Sequence, residues 1–255
     1  MNQLKCMSFN LRVDNPGDGI NAFSNRYHRV ADVIMQENPD VIGFQEVTEG
    51  MRARIMGLLP DYTFQGCGRE ANYRGESMLI AYRTADVELI SLENIWLSPT
   101  PRIPGSTFGG DQSGCPRMFT SALIKHARVD RPFYFVNTHL DHVGKNARYL
   151  GAMELVQYLS EKEERFVLTG DFNATPDAPE IHLITEAQAL RGVTDCTAAL
   201  GGTFHNFGKR LPDRAEKIDY IFTDGECSHA YVVEDTPVEG QYYSDHFAVC
   251  AVIPL

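Results

Sequence analysis

The sequence predicts a layered α/β fold, in which two β-sheets pack face to face with helices on their outer surfaces. Three observations lead there. Short apolar runs of strand length alternate with stretches of helical periodicity along the 255 residues. A strand ending in a polar ligand, a helix, and another such strand occur near Asn10 and Glu46, and the same series returns near His139 and Asp171. Nothing in the chain reads as a linker, and layered β-rich folds of this length are often single units, so residues 1–255 are expected to form one domain.

In chain order, Leu4 to Leu11 reads as a strand ending at Asn10, followed by a polar Asn/Asp/Gly loop to about Asn21. Val30, Val33 and Ile34 give Tyr27 to Glu37 a helical spacing that stops before Pro39. Asp40 to Val47 is a second strand with Glu46 at its end, and Glu49 to Leu58 a second helix. Tyr62 to Phe64 precedes a Gly/Arg-rich turn; Met78 to Tyr82 and Val87 to Ser98 then read as consecutive strands. Pro99 to Pro116 is a loop long enough to be a functional rim, and it is expected to form one wall of a pocket.

Met118 to Lys125 and Pro132 to His139 are predicted strands, and Leu150, Met153, Leu155, Val156 and Leu159 give Asn146 to Glu164 the apolar face of a helix. Arg165 to Asn173 is a strand running into Gly170, with Asp171 and Asn173 two positions apart and so on one side of an extended backbone. A short helix over Pro179 to Ala189, a loop or strand over Thr203 to Phe207, and strands over Glu216 to Phe222, Tyr231 to Glu234 and Phe247 to Ile253 complete the chain.

Composition narrows the function. A net charge of -11 argues against general affinity for nucleic acid, which comes from clustered Lys and Arg. The six cysteines are scattered, without zinc-binding spacing, and read as mostly reduced thiols. No run approaches the ~18 apolar residues of a membrane span. The first strand begins almost at the N-terminus with no signal peptide before it, so a soluble, cytoplasmic protein is expected, or an exported one whose leader has been removed. A monomer is expected.

Six strand or loop ends carry the residue types that phosphoester hydrolysis uses: Asn10, Glu46, His139, Asp171 with Asn173, Asp219, and Asp245 with His246. In order, SFNLR, QEV, NTHLDH, GDFNATP, KIDYIF and SDH resemble the motif series of the endonuclease/exonuclease/phosphatase superfamily, whose members share a DNase I-like fold. The resemblance spans residues ~4 to ~253 and is nearest to the bacterial branch with WLSPTP, whose substrates it leaves open. It implies a four-layer α/β/β/α sandwich of two packed mixed β-sheets flanked by helices, and a phosphoester hydrolase acting through a Mg2+-activated water, with Mn2+ as a substitute.

Carried over position by position, the resemblance makes Glu46 the principal metal ligand with Asn10 beside it, and lets Asp245 reach the same or a second metal. Mg2+ suits such a site because it takes oxygen ligands and keeps several waters, so one or two carboxylates suffice. Asp219 would fix the tautomer of His246 and raise its basicity, and His246 would then deprotonate a water or hold the phosphate. Asp171 would orient the water, Asn173 would donate to a phosphoryl oxygen, and His139 would face a nonbridging oxygen or the leaving group. Glu76 matches an acid that pairs with this histidine in the family. Arg117 and Arg69 are candidates for charge near the phosphate or for ordinary ion pairs, His205 for a substrate contact, and His142 for the rim. The substrate is expected to be a small or exposed phosphomonoester or diester. Alternatives are a nuclease of DNA-repair or deadenylase type acting on extended nucleic acid, which the acidic balance disfavours, and an inactive phosphate-binding module.

Overall fold

In the computed structural model, which describes residues 3–210 and 214–255, two six-stranded sheets form the centre of the molecule. The first has the order β11 (His229–Val233), β12 (Ala248–Pro254), β1 (Gln3–Asn10), β2 (Val41–Val47), β4 (Ser77–Arg83), β3 (Tyr62–Gln65). The second runs β5 (Val87–Trp96), β6 (Met118–His126), β7 (Phe133–His139), β8 (Phe166–Asp171), β10 (Asp219–Thr223), β9 (Thr194–Asp195). β1–β2 and β7–β8 pair in parallel and the other neighbours are antiparallel. A parallel pair needs a crossover, and α1 (Phe23–Glu37) and α3 (Lys145–Ser160) supply the two. The recurring strand-helix-strand series is therefore a repeat of topology, with Asn10 and Glu46 in one unit and His139 and Asp171 in the other.

Side-chain alternation builds the four layers. Odd-numbered Met7 and Phe9 of β1 pack with Phe23, Val30 and Ile34 of α1 and with Met51 and Ile55 of α2 (Glu49–Leu58). On the second sheet, Phe166 and Leu168 face Leu155 and Leu159 of α3 and Ile181 and Ile184 of α4 (Pro179–Thr185). The opposite faces meet each other: Leu4, Cys6, Val41, Val249 and Ala251 pack against Phe133, Phe135, Val167 and Ile221.

Followed along the strands, this inner row changes character. Leu4 and Cys6 are succeeded by Ser8 and Asn10, Phe133 and Phe135 by Asn137 and His139, and Val167 by Thr169 and Asp171, all buried. The polar end is cross-linked: Gln45 Nε2 donates to Asn137 Oδ1 at 2.7 Å, Asn137 Nδ2 to Phe44 O at 2.7 Å, and Thr169 Oγ1 to Asn137 Oδ1 at 3.2 Å, while Gln45 Oε1 is buried without a partner. Gly43 makes room for this belt, since a Cβ there would stand 2.2 Å from Thr169 Oγ1 and 2.6 Å from Asn137 Oδ1.

Several boundaries differ from the sequence expectation, for physical reasons. α1 begins at Phe23 rather than Tyr27 because its first turn is held by a buried arginine, Arg26, where apolar periodicity gives no signal. The strand expected from Glu216 begins at Asp219, opposite Asp171, while Glu216 forms an isolated bridge with Phe204. α3 stops at Ser160 and α4 at Thr185, each short of the expected end, and the two-residue β9 was not foreseen. The long loop is firmly tied down. Gly144 leaves the start of α3 without a local side-chain cap, and Asp111 of the loop supplies one, accepting from Asn146 N at 2.8 Å and Ala147 N at 3.1 Å. All six cysteines are free thiols. Among the described residues, no helix is long and apolar enough to cross a membrane.

Candidate active site

Glu46 reaches the site through a β-bulge. Phe44 pairs with Leu79 and Val47 with Ser77, so three steps on β2 oppose two on β4, and Glu46 takes up the difference at φ 64°. Strict alternation would aim its side chain at the helices. The left-handed turn, which costs a non-glycine residue about 1–2 kcal/mol, brings it to the polar end of the inner row instead. There Val13 N donates to Glu46 Oε2 at 2.8 Å and Asn10 Nδ2 to Glu46 Oε1 at 3.1 Å.

Asn10 joins the two sheets, because Nδ2 also donates to Asp171 Oδ2 at 2.9 Å. Its Oδ1 accepts from Arg12 N at 2.9 Å, so Asn10 presents its nitrogen, not its oxygen, to both carboxylates. Asn10 here bridges acids. Asp171 is the hub of the constellation. Its Oδ2 lies 3.6 Å from His139 Nε2 and 3.8 Å from His246 Nε2, while Oδ1 accepts from Asn173 N at 2.9 Å. Asn173 sits at φ 48° immediately after β8, and its Nδ2 donates to Leu140 O at 3.1 Å.

His246 Nδ1 is 2.9 Å from Asp219 Oδ2, a second bond between the sheets. Burial disfavours a charged His246, yet Asp219, Asp245 and Asp171 together raise its pKa to about 10. His139 goes the other way: burial, with Arg117 and Arg69 close by, holds it well below the usual imidazole range, and its Nδ1 has no partner. Burial raises the Asp171 carboxyl, reinforced by Asp219, and also raises Asp245, with Glu46 adding to the effect. Asp245 lies 3.8 Å from Arg12 Nε.

This oxygen-rich set fits a hard divalent cation. Buried carboxyls forced upward by confinement are relieved by a cation, and Asp219 Oδ1 is buried without a hydrogen-bond partner. Asp171, Asp219 and His246 bring ligand atoms within 4.8 Å of one another, and Asn10 links them to Glu46.

Glu76 pairs with Arg69 at 2.8 Å, and among the described residues no hydrogen bond or ion pair joins it to His139. His205 is enclosed: its ring stacks on Phe247 at 4.1 Å between centroids, Nδ1 accepts from Gly208 N at 3.0 Å, and Nε2 is buried without a hydrogen-bond partner. Arg117 is held by Asp141 and, at 2.7 Å, by His142 Nδ1.

Three organising residues were missed by sequence reasoning. Asp141 accepts from Ser113, from Val143 N and Gly144 N, and from Arg117, tying the long loop to the end of β7. Arg26 is fully buried and donates to Asn21 O, Leu11 O, Arg12 O and Tyr243 O, which holds the segments after Asn10 and before Asp245 side by side. Arg12 faces both Asp18 and Asp245. The one available signal was Arg26 at an apolar position of α1, three residues after Phe23 and four before Val30. A cavity of about 730 Å3 touches Phe133 and Phe166, the first residues of β7 and β8, so it lies at the far ends of those strands from His139 and Asp171.

Comparison with known proteins places the chain in a family and a fold. The sequence model of the Endonuclease/Exonuclease/phosphatase family matches residues 7–246. An endonuclease/exonuclease/phosphatase from Bacteroides vulgatus is 31% identical, with each chain covered over 100% and a TM-score of 0.92. A mannosyl-6-phosphatase from Bacteroides thetaiotaomicron is 27% identical over 98% of this chain and 100% of its own, with a TM-score of 0.87. An uncharacterised protein of Acanthamoeba polyphaga mimivirus is 29% identical over 161 residues, a stretch that spans 59% of this chain and 59% of the viral protein.

Proposed function

The chain belongs to the endonuclease/exonuclease/phosphatase family, and on that premise we propose that it is a Mg2+-dependent hydrolase of a small or exposed phosphoester. The observation that carries this reading is the convergence on Asp171 of Asn10, His139 and His246, with Asp219 behind the last. Phosphoryl transfer asks little covalent chemistry of a protein; it asks for positioning of a water and stabilisation of charge on the phosphoryl oxygens.

Asp171 is the acid best placed to orient an in-line water and accept its proton. Asp219 on Nδ1 leaves Nε2 of His246 to donate to a phosphoryl oxygen, and His139 faces the same carboxylate from the second sheet, beside the position of a nonbridging or leaving oxygen. Asn173, with one amide hydrogen committed to Leu140 O, has the other for the phosphoryl group. Glu46, with Asp245, would hold the cation, and Asn10 would keep Glu46 and Asp171 in register with it. A bound divalent cation supplies neutralisation of charge on the phosphoryl oxygens.

A net charge of -11 supports a small or exposed substrate over a long nucleic-acid strand. So does the phosphatase among the similar structures. The test is a Mg2+- and Mn2+-supplemented screen over phosphomonoesters, phosphodiesters, nucleotides, sugar and inositol phosphates, and nucleic acids. Turnover of a small phosphoester that chelator abolishes is expected; inertness toward all of them with both metals counts against the reading.

A further inference from the structure

Two arginines beside the site carry more donor capacity than their partners use. Arg69 and Arg117 are only 6% and 4% exposed. Arg69 spends Nη2 on Glu76, while its Nε and Nη1 are buried with no partner. Arg117 meets Asp141 through Nε and His142 through Nη2, and its Nη1 is likewise orphaned. Asp141 has little acceptor capacity left for Arg117, because it already accepts from Ser113, Val143 and Gly144. Buried guanidinium N–H groups without acceptors are costly to keep, so they call for an anion.

Arg69 is also held in place from outside. Trp96 Nε1 donates to Arg69 O at 2.6 Å, and Arg69 N donates to Glu76 O at 3.0 Å. Gly105 of the long loop packs so tightly against Ala71 that a Cβ there would stand 2.7 Å from Ala71 N. Arg117 directly precedes β6, whose Phe119 pairs with Thr138, so it stands beside the end of β7 that carries His139, and Arg69 is tied to Trp96, which pairs with Met118 next to Arg117.

We infer that Arg69 and Arg117 form a cradle for the oxygens of a dianionic phosphoryl group, in which Glu76 and His142 compete for the same guanidinium groups, so that the substrate is a phosphomonoester. The substrate class rests on the phosphoesterase reading; the cradle itself does not. A phosphodiester offers a single negative charge and two free oxygens, the other two being bonded to carbon, whereas a monoester offers two charges and three free oxygens to two planar forks.

Trp96, the only tryptophan, is bonded to Arg69 and reports on the cradle directly. The experiment titrates the whole chain, in chelator, with inorganic phosphate and with dimethyl phosphate, reading Trp96 emission and, in parallel, heat by calorimetry. Phosphate should bind saturably and dimethyl phosphate at least about 10-fold more weakly. Arg69→Met and Arg117→Met should each weaken phosphate by about 10- to 100-fold, the worth of one or two charge-assisted hydrogen bonds. Glu76→Gln should tighten it by removing the competing carboxylate. Arg117→Lys, which keeps the charge, covers the case in which Arg117→Met does not fold. Equal binding of the two anions, or phosphate binding indifferent to the arginine variants, overturns the cradle. Adding Mg2+ with a monoester and a diester of the same leaving group separates the two claims. Equal turnover of both esters sinks the substrate class and leaves the phosphoesterase reading standing; no turnover, with phosphate still bound through the arginines, does the reverse.

Discussion

His246 and Asp219, 2.9 Å apart, belong to different sheets: the histidine leads into β12 of the first and the aspartate opens β10 of the second. Their hydrogen bond fixes the imidazole tautomer, so the two should behave as one unit. Asp219→Asn and His246→Ala are each expected to lower kcat/KM by roughly 10^2- to 10^4-fold, with the double variant little worse than His246→Ala alone. The four kcat/KM values at saturating Mg2+ decide it, since free-energy losses that add would mean independent roles.

Glu46 tests the cation. Replacing its carboxylate in Glu46→Gln keeps the size of the side chain and should weaken Mg2+ binding by about 10- to 100-fold or more, with turnover falling in step. Calorimetric Mg2+ titration of both proteins, beside a thermal melt to show an intact fold, is the measurement; unchanged Mg2+ affinity would remove Glu46 from the site.

Gly43 is a packing test of the polar belt. With a Cβ 2.2 Å from Thr169 Oγ1, Gly43→Ala overpacks the space between the sheets and should cost about 1–3 kcal/mol by urea denaturation. Shortening the neighbour in Gly43→Ala with Thr169→Ala should recover part of that loss.

Asp111 is a cap borrowed from a distant loop. Asp111→Ala should destabilise the fold by about 1 kcal/mol. If the loop it anchors forms a pocket wall, relative rates among substrates should change more than the rate on the best one. A uniform fall in all rates would argue against that wall.

Glu154 predicts a pH dependence of stability away from the site. Burial, only partly offset by the Ser98 N–H at 3.2 Å, raises its carboxyl from 4.5 to about 7. The folded state thus holds this proton more tightly than the unfolded chain. Its stabilisation is complete below pH 4.5 and is lost as pH rises through about 7. Glu154→Gln should flatten that part of the stability curve, by about 1 kcal/mol after allowance for a half-exposed group. A wild-type slope unchanged by the substitution would exclude it as the source.

Much of this was legible in the sequence because alternation is strict. In Leu4, Cys6, Ser8, Asn10 and in Phe133, Phe135, Asn137, His139, one face passes from apolar to polar along a single strand, and the motifs mark where it does so. What alternation does not carry was missed. The bulge at Glu46 is a backbone event; Asp141 acts through main-chain N–H groups of its own turn; Arg26 binds carbonyls on segments distant in sequence. The pairing of Glu76 with Arg69 was also missed, because it depends on a loop that folds back so that Arg69 N meets Glu76 O.

The constellation is an interface formed within one polypeptide. Asn10, Glu46 and His246 come from the first sheet, and His139, Asp171 and Asp219 from the second. Neither half holds a working set. A slip of one sheet over the other by a single pleat repeat, about 7 Å, would separate every pair that joins them. Turnover is therefore a gauge of docking between the sheets: in rising urea it should vanish while the far-ultraviolet strand signal persists, if the sheets part before they melt.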